Sequence, residues 1–256
     1  MLAYKEHHPK AQKVVVLLHG FCENKELWDD FAEHISSEHR FICPDLGGFG
    51  QSPLPARQSI ESMAENLKIF LDNLNIHNFT LIGHSLGAYV GLAFAEKHAA
   101  MLDGLGLFHS TAFADSDEKK QARLKAIQHI ESYGKESYLN SFFPNLFALP
   151  NRQRFVHKIH ELEKAAQNLS SESLVETLKA MRVRPDRTHI LESLDIPVLF
   201  IVGKHDAAVS LEDSLKQCSI PKKSVVYFLD NAGHSGMFEA KNDCIKILKN
   251  FLNYVG

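Results

Sequence analysis

No stretch of this 256-residue chain approaches the ~20 consecutive apolar residues that a membrane-spanning helix needs. The amino-terminal segment MLAYKEHHPKAQK also lacks an apolar core of signal-peptide length, which gives the expectation of a cytoplasmic protein with no membrane partner. Cysteine is scarce: Cys22, Cys43, Cys218 and Cys244 stand far apart and form no C-x-x-C pair. The spacing of zinc sites and dithiol redox sites is therefore missing, and free thiols in a reducing compartment are expected. Neither a basic patch nor a long run of one charge stands out, and the formal net charge is −3. Nucleic acid is not an expected partner. Internal repeats and low-complexity segments are absent as well.

What the chain does have is a hydrophobic content of 45%, enough for a sizeable core. One α/β domain with an insertion and two separate domains both fit that length. Short β-rich runs occur at 13–19 (KVVVLLH), 40–45 (RFICPD), 79–84 (FTLIGH), 102–109 (LDGLGLFH), 197–203 (PVLFIVG) and 224–230 (SVVYFLD). Most are apolar throughout, the pattern of strands covered on both faces of a parallel sheet. Helical spacing lies between them, at 26–35, at 59–74 with Ile60, Met63, Leu67, Phe70, Leu71 and Leu74 on one face, and at 243–255. Strand and helix in alternation predict a doubly wound, mostly parallel α/β sheet flanked by helices.

One interval breaks the alternation. Between His109 and Pro197 the spacing predicts helices at 118–134, 153–169 and 171–183, the last with Ser171 and Ser173 near its cap, and no strand. A crossover needs only about a dozen residues. The expected organisation is therefore an α/β core of 1–110 and 188–256 with a helical insertion at 111–187. Its stripes are read as packing within the insertion. The cluster FFPNLF (142–147) can face a cavity as well as a core.

The chemistry concentrates at Gly83-His84-Ser85-Leu86-Gly87, where an apolar strand ends and a small-residue helix begins. G-x-S-x-G in that setting is a nucleophile elbow: the glycines admit a tight, strained turn, and the serine projects from the sheet edge at a helix amino terminus. A serine hydroxyl needs a base, and the base needs an acid to orient it. Of 15 histidines, His234 in the loop after the last strand is the candidate base, with His109 and His205 as weaker competitors. His84 points elsewhere, because neighbours in a tight turn diverge. Asp206, just past the strand VLFIVG, is the candidate acid, and Asp115 and Asp117 are alternatives. The N–H of Leu86, the residue after the serine, is a candidate donor to an oxyanion.

LLHGF (17–21), DLGGFGQS (45–52), GHSLG (83–87), IVGKHDAAV (201–209) and NAGHSGMFE (231–239) occur in the order and spacing of the α/β-hydrolase fold superfamily, which the chain resembles over nearly its whole length. The resemblance implies a catalytic triad of Ser85, Asp206 and His234 and an oxyanion hole of the Phe21 and Leu86 backbone N–H groups. It implies that Asp45 orders its loop, that His19 and Trp28 are structural, and that no metal or organic cofactor takes part. A serine at the elbow argues against the haloalkane dehalogenases and epoxide hydrolases, which use aspartate there. Two departures bear on the branch. Only a dozen residues precede Lys13, so one short strand around Leu2–Lys5 or a cut-down hairpin is expected in place of two antiparallel strands. HGF in place of HGGG points to the smaller-substrate branch with a helical cap.

The expected activity is hydrolysis of a small or medium carboxylic ester or thioester through an acyl-enzyme on Ser85. Carbon–carbon bond hydrolysis or a lyase reaction by the same triad is the alternative chemistry, and a small-molecule receptor with weak or no turnover is the alternative class. The partner is a small molecule with an apolar acyl group, and Phe142, Phe143 and Met237 are the expected lining. Arg123, Arg152, Arg154, Arg182, Arg184 and Arg187 read first as a solvated surface and second as a binder of acidic substrate. Monomer and homodimer are equally open.

Overall fold

In the computed structural model, which describes residues 1–255, the apolar runs form a single seven-stranded sheet. Its strands are β1 (Tyr4–His7), β2 (Lys13–Leu18), β3 (His39–Pro44), β4 (Phe79–His84), β5 (Leu102–Phe108), β6 (Val198–Gly203) and β7 (Ser224–Leu229). The order across the sheet is β1-β3-β2-β4-β5-β6-β7. All neighbours are parallel except β1, which runs antiparallel to β3. A single short strand thus opens the chain, two residues later than the Leu2–Lys5 expectation. His8 at φ 52 turns the chain back, and β1 covers the backbone edge of β3 that would otherwise stand open.

β4 and β6 are buried at every position. The period-2 alternation of a strand sends Val16 and Leu18 of β2 to one face and Val15 and Leu17 to the other. Among the described residues the helices are α1 (Asp29–Ile35), α2 (Ile60–Asn73), α3 (Leu86–His98), α4 (Asp117–Tyr133), α5 (Lys135–Phe142), α6 (Val156–Ala166), α7 (Ser171–Val183), α8 (Thr188–Ser193), α9 (Leu211–Cys218), α10 (Gly236–Glu239) and α11 (Lys241–Val255). The apolar stripes of α1 and α11 pack on one face of the sheet; α2, α3 and the apolar residues of α4 to α8 join the core of the other. The four thiols are buried and unpaired, and burial pushes them up, Cys218 to about 12. No helix of the described residues is long and apolar enough to cross a membrane.

The interval between β5 and β6 holds α4 to α8 and no strand. α6 is three residues shorter at each end than its stripe, and α5 and α8 gave no clear periodic signal. Ser170, not Ser171 or Ser173, caps α7: its hydroxyl accepts the Ser173 N–H at 3.0 Å. Within FFPNLF, Phe142 ends α5 and Phe143–Leu146 form a 3₁₀ turn; Phe143 and, just past the turn, Phe147 are buried in the core.

The solvated-surface reading fails for three of the arginines. Arg184 and Arg187 are buried. Arg184 donates to Asp115 at 2.6 Å and lies 3.9 Å from the centre of the Tyr89 ring, and Arg123 donates to the same carboxylate. Arg187 ties α2 to α3 through Glu61 at 2.7 Å and Glu96 at 3.0 Å. Long side chains at these positions reach inward to carboxylates that linear sequence does not place beside them.

Removal of the Asp115 carboxylate leaves two guanidinium groups without their counter-ion inside the protein. Asp115→Ala is expected to lower the unfolding free energy in urea by about 3–5 kcal/mol. Asp117→Ala, on an exposed first turn, is expected to change it by less than about 1 kcal/mol.

Candidate active site

β4 ends at His84 and α3 begins at Leu86, so Ser85 alone turns the chain. It does so at φ 49, ψ −111, a conformation that costs a residue with a side chain energy and persists only where the surroundings over-determine it. Those surroundings are visible. The Ser85 N–H donates to the Phe108 carbonyl at 2.9 Å, and the Ser110 hydroxyl donates to the Ser85 carbonyl at 2.8 Å. The flanking glycines are dictated by close approach. A Cβ on Gly83 would stand 2.3 Å from the Ala88 nitrogen, and one on Gly87 would stand 2.6 Å from the Leu18 carbonyl oxygen.

The strand order explains why chemistry gathers here. From β2 the chain moves to β3 on one side and then crosses to β4 on the other. The connections that leave the carboxyl ends of the paired strands β2 and β4 therefore run to opposite sides and open a crevice at the switch point. Ser85 follows β4, and the His19-Gly20-Phe21 turn follows β2.

Ser85, His234 and Asp206 meet in a hydrogen-bonded line. The Ser85 hydroxyl lies 2.9 Å from His234 Nε2, and His234 Nδ1 lies 2.8 Å from Asp206 Oδ2. With the hydroxyl donating to Nε2, the ring proton sits on Nδ1 and is donated to the carboxylate. Asp206 Oδ1 accepts the N–H groups of Ala208 at 2.7 Å and Val209 at 2.9 Å. Burial alone would raise the Asp206 carboxyl. The attraction and hydrogen bond of His234, with help from His109, outweigh burial and hold it below the ordinary value.

The competitors are elsewhere or differently engaged. His205 is exposed, Asp115 is taken by Arg123 and Arg184, and Asp117 lies on the exposed start of α4. His109, at φ 49 after β5, accepts the Gly236 N–H on Nε2 at 3.1 Å. Its proton is therefore on Nδ1, 3.7 Å from Asp206 Oδ2. Burial pushes this ring well below the usual histidine range, so it stands beside the acid as a neutral group.

Leu86 is the first residue of α3, and the N–H groups of a first helical turn have no acceptor within the helix. Phe21 lies in the turn after β2, with its ring edge-on to Phe49 at 6.0 Å and to Phe142 at 5.6 Å. His19 donates from Nδ1 to the Gly20 carbonyl at 2.8 Å and accepts the Leu46 N–H on Nε2 at 2.9 Å, which ties the loops after β2 and β3 together. Asp45 is buried against the Lys25 ammonium at 2.7 Å and also accepts the N–H of Gln51 at 2.8 Å. Trp28 is buried between Phe31 and Phe108.

Two of the three expected lining residues need correction. Phe143 is wholly buried in the core, and Met237 is buried in the cluster that α1 and α11 form under the other face of the sheet. Neither presents a surface to a ligand, because each is enclosed by neighbouring apolar side chains. Phe142 is half-buried, stacks on Tyr138 at 5.5 Å and meets Phe21, so of the three it is the one beside the site. A cavity of about 650 Å³ lies between the loop after β2 and α6, bordered by Cys22, Glu23, Lys25, Lys158, Leu162 and Phe238. Its many charged groups suit an acyl chain less well than the aromatic contacts at Phe21.

Ser110 and Glu239 escaped the sequence reading. Glu239 accepts the N–H of Ala148 at 2.9 Å and of Gly233 at 2.8 Å, and so fastens the loop of His234 to the helical interval. Its place at the end of NAGHSGMFE was the available signal; Ser110 offered none beyond standing just after a strand.

A mostly parallel sheet with a serine elbow at its switch point defines a class of α/β hydrolases. The chain belongs to the alpha/beta hydrolase fold family, whose model matches residues 13–241. It is an α/β-fold hydrolase. Among curated proteins it is 24% identical, over 99% of this chain and 95% of the other, to a putative 2-succinyl-6-hydroxy-2,4-cyclohexadiene-1-carboxylate synthase of Bacillus subtilis. It is 28% identical over 205 residues, 78% of this chain and 64% of the other, to the pimeloyl-[acyl-carrier protein] methyl ester esterase of Neisseria meningitidis serogroup A. Among solved structures, a thermophilic esterase from Thermogutta terrifontis superposes with a TM-score of 0.92 at 27% identity, covering 99% of this chain and 93% of that one.

Because the folded Asp206 value is depressed, the folded state holds fewer protons than the unfolded chain in acid. The stability contributed by the pair is complete above the unfolded value near 3.8 and is lost as pH falls through the lower folded value. In Asp206→Asn the slope of unfolding free energy against pH below about 4 is expected to be shallower by up to about 1.4 kcal/mol per pH unit. Urea titrations at several acid pH values measure it.

Proposed function

We propose that the protein hydrolyses a small or medium carboxylic ester or thioester through an acyl-enzyme on Ser85. The observation that carries this reading is the Ser85–His234–Asp206 line, at 2.9 and 2.8 Å, set at the switch point of the sheet. His234 Nε2 takes the hydroxyl proton as Ser85 Oγ attacks the acyl carbon. Asp206 fixes the ring and stabilises the imidazolium. The Leu86 and Phe21 N–H groups receive the charge that develops on the carbonyl oxygen, with the amino terminus of α3 adding its dipole. The imidazolium protonates the leaving group, and water, deprotonated by His234, then releases the acid.

The likeness to the Thermogutta esterase and to the Neisseria methyl ester esterase supports an ester as substrate. The Phe21–Phe142–Tyr138 contacts support an apolar acyl group, and residues 111–187 serve in this reading as the cap above it. The four buried, unpaired thiols support a reducing, cytoplasmic setting. One observation favours a second chemistry: the end-to-end match to the Bacillus synthase supports a lyase or carbon–carbon bond reaction that uses His234 as base.

A fluorophosphonate probe is expected to label the wild type and spare Ser85→Ala. Labelling that survives in Ser85→Ala sinks the nucleophile assignment. A series of p-nitrophenyl esters of rising acyl length is expected to show multiple turnovers, with Asp206→Asn lowering kcat by about 10³–10⁴-fold. One slow burst with a large rise in melting temperature, and no turnover, points to a receptor instead.

A further inference from the structure

A second line of buried polar groups lies beside Ser85. The side chains of Glu23 and His84 are 3% and 2% exposed. One carboxylate oxygen, Glu23 Oε2, stands 2.6 Å from the Gly20 nitrogen and 2.7 Å from His84 Nδ1. The other ring nitrogen, His84 Nε2, stands 3.0 Å from the backbone carbonyl oxygen of His234. A carbonyl oxygen only accepts, so Nε2 carries a proton. Glu23 Oε2 already accepts the Gly20 N–H, and the carboxyl is held below its ordinary value; as an ionised carboxylate it likewise only accepts, so Nδ1 carries a proton too. The contacts are satisfied together by an imidazolium against a carboxylate, and neither charge would survive burial without the other.

The groups around the ring agree. Asp206 and Glu23 supply negative charge, while burial pushes His19 and His109 below the usual histidine range and so towards neutrality; His234 is the remaining neighbour, its ring centre 5.1 Å away. Burial works against charge on both members of the pair, but their mutual attraction and hydrogen bond prevail, holding His84 above the ordinary histidine value and Glu23 below the ordinary carboxylate value.

The contacts join three separate pieces of chain: the turn after β2 that carries Phe21, the last residue of β4, and the loop between β7 and α10 that carries His234. We propose that the Glu23–His84 ion pair is a positioning element that locks the oxyanion turn to the backbone of the base, so that both face Ser85 as one unit. The inference rests on the acyl-enzyme reading of Ser85. The hydrogen bonds of Glu23 and His84 go to each other and to backbone, while Ser85 Oγ bonds His234, so the pair acts on the rate of the chemical step through geometry and leaves substrate affinity nearly alone.

The test compares wild type, Glu23→Gln and the double variant Glu23→Gln/His84→Gln in kcat and KM for one p-nitrophenyl ester, with melting temperature and the proton NMR spectrum of exchange-protected ring N–H groups. The double variant leaves no buried ion without its partner, so it is expected to hold the fold where a single substitution strands one charge. Wild-type His84 is expected to show two ring N–H protons, both absent from the double variant. The folded double variant is expected to lose about 10- to 100-fold in kcat with KM within about threefold of the wild type. The proposal is overturned by a folded double variant whose kcat stays within about twofold of the wild type, by a loss carried in KM alone, or by a single ring proton on wild-type His84. The proton count is read on the wild type and stands whether or not a variant folds. A wild type without turnover, or turnover that persists in Ser85→Ala, instead brings down the acyl-enzyme reading while the proton count still judges the pair.

Discussion

The separation at which α3 crosses the ends of β2 and β4 is the constraint on which the site depends. At Gly83 and Gly87 there is no room for a single methyl group, so the helix lies against the strands backbone to backbone. That closeness leaves the one residue between strand and helix a left-handed, strained conformation. The strain is held from the neighbouring strand, where Phe108 accepts the Ser85 N–H and Ser110 donates to its carbonyl. A serine so held projects over the crevice, with the free N–H groups of a helix end beside it. Ser85, His109 and Cys22 all have positive φ, so three of the non-glycine residues in that conformation cluster around this crevice.

Around the strained turn the protein pairs each buried carboxylate with an imidazole. Asp206 with His234 and Glu23 with His84 are each a carboxylate against an imidazole with little exposure. A carboxylate without a partner in either place would be costly, whereas one that accepts from a ring N–H and from backbone N–H groups is tolerated and rigid. His109 completes the surroundings as a neutral ring, pinned by the Gly236 N–H on one side and facing Asp206 on the other. The helical interval is built by the same rule, since Asp115 lies between Arg123 and Arg184, and Arg187 lies between Glu61 and Glu96.

Strands were the most legible part of the fold. Runs such as VVVLL and VLFIV are apolar at every position, and that composition suits a strand covered on both faces. The first strand was harder, because four residues at a sheet edge carry little pattern; β1 slid two residues from its expected place. α5 and α8 were invisible for a related reason: eight and six residues hold too few turns for a stripe to show. At the site, Ser85, His234 and Asp206 each stood just beyond a strand, but so did His109, His205 and Asp115; position along the chain made candidates of them, and the folded sheet brought these three into one line: Ser85, His234 and Asp206. Glu23 and Ser110 looked like ordinary polar residues, since nothing local marks a carboxylate that reaches a histidine 61 residues away. Phe143 and Met237 misled for the opposite reason: an apolar side chain beside a loop reads the same whether it faces a ligand or the core.

From its sequence alone this protein determined the alternation of strand and helix, the long helical interval, and the elbow, because each is written in local periodicity and in glycines at fixed spacing. Tertiary structure alone decided which acid meets which base. Asp115 and Asp206 both follow strands, yet one is taken by two arginines and the other lies 2.8 Å from His234. Tertiary structure also decided that His84, turned away from Ser85, meets Glu23 and the carbonyl of His234. Hydrogen bonds between residues far apart in the chain depend on strand order and loop approach, which are properties of the whole sheet and of no single segment.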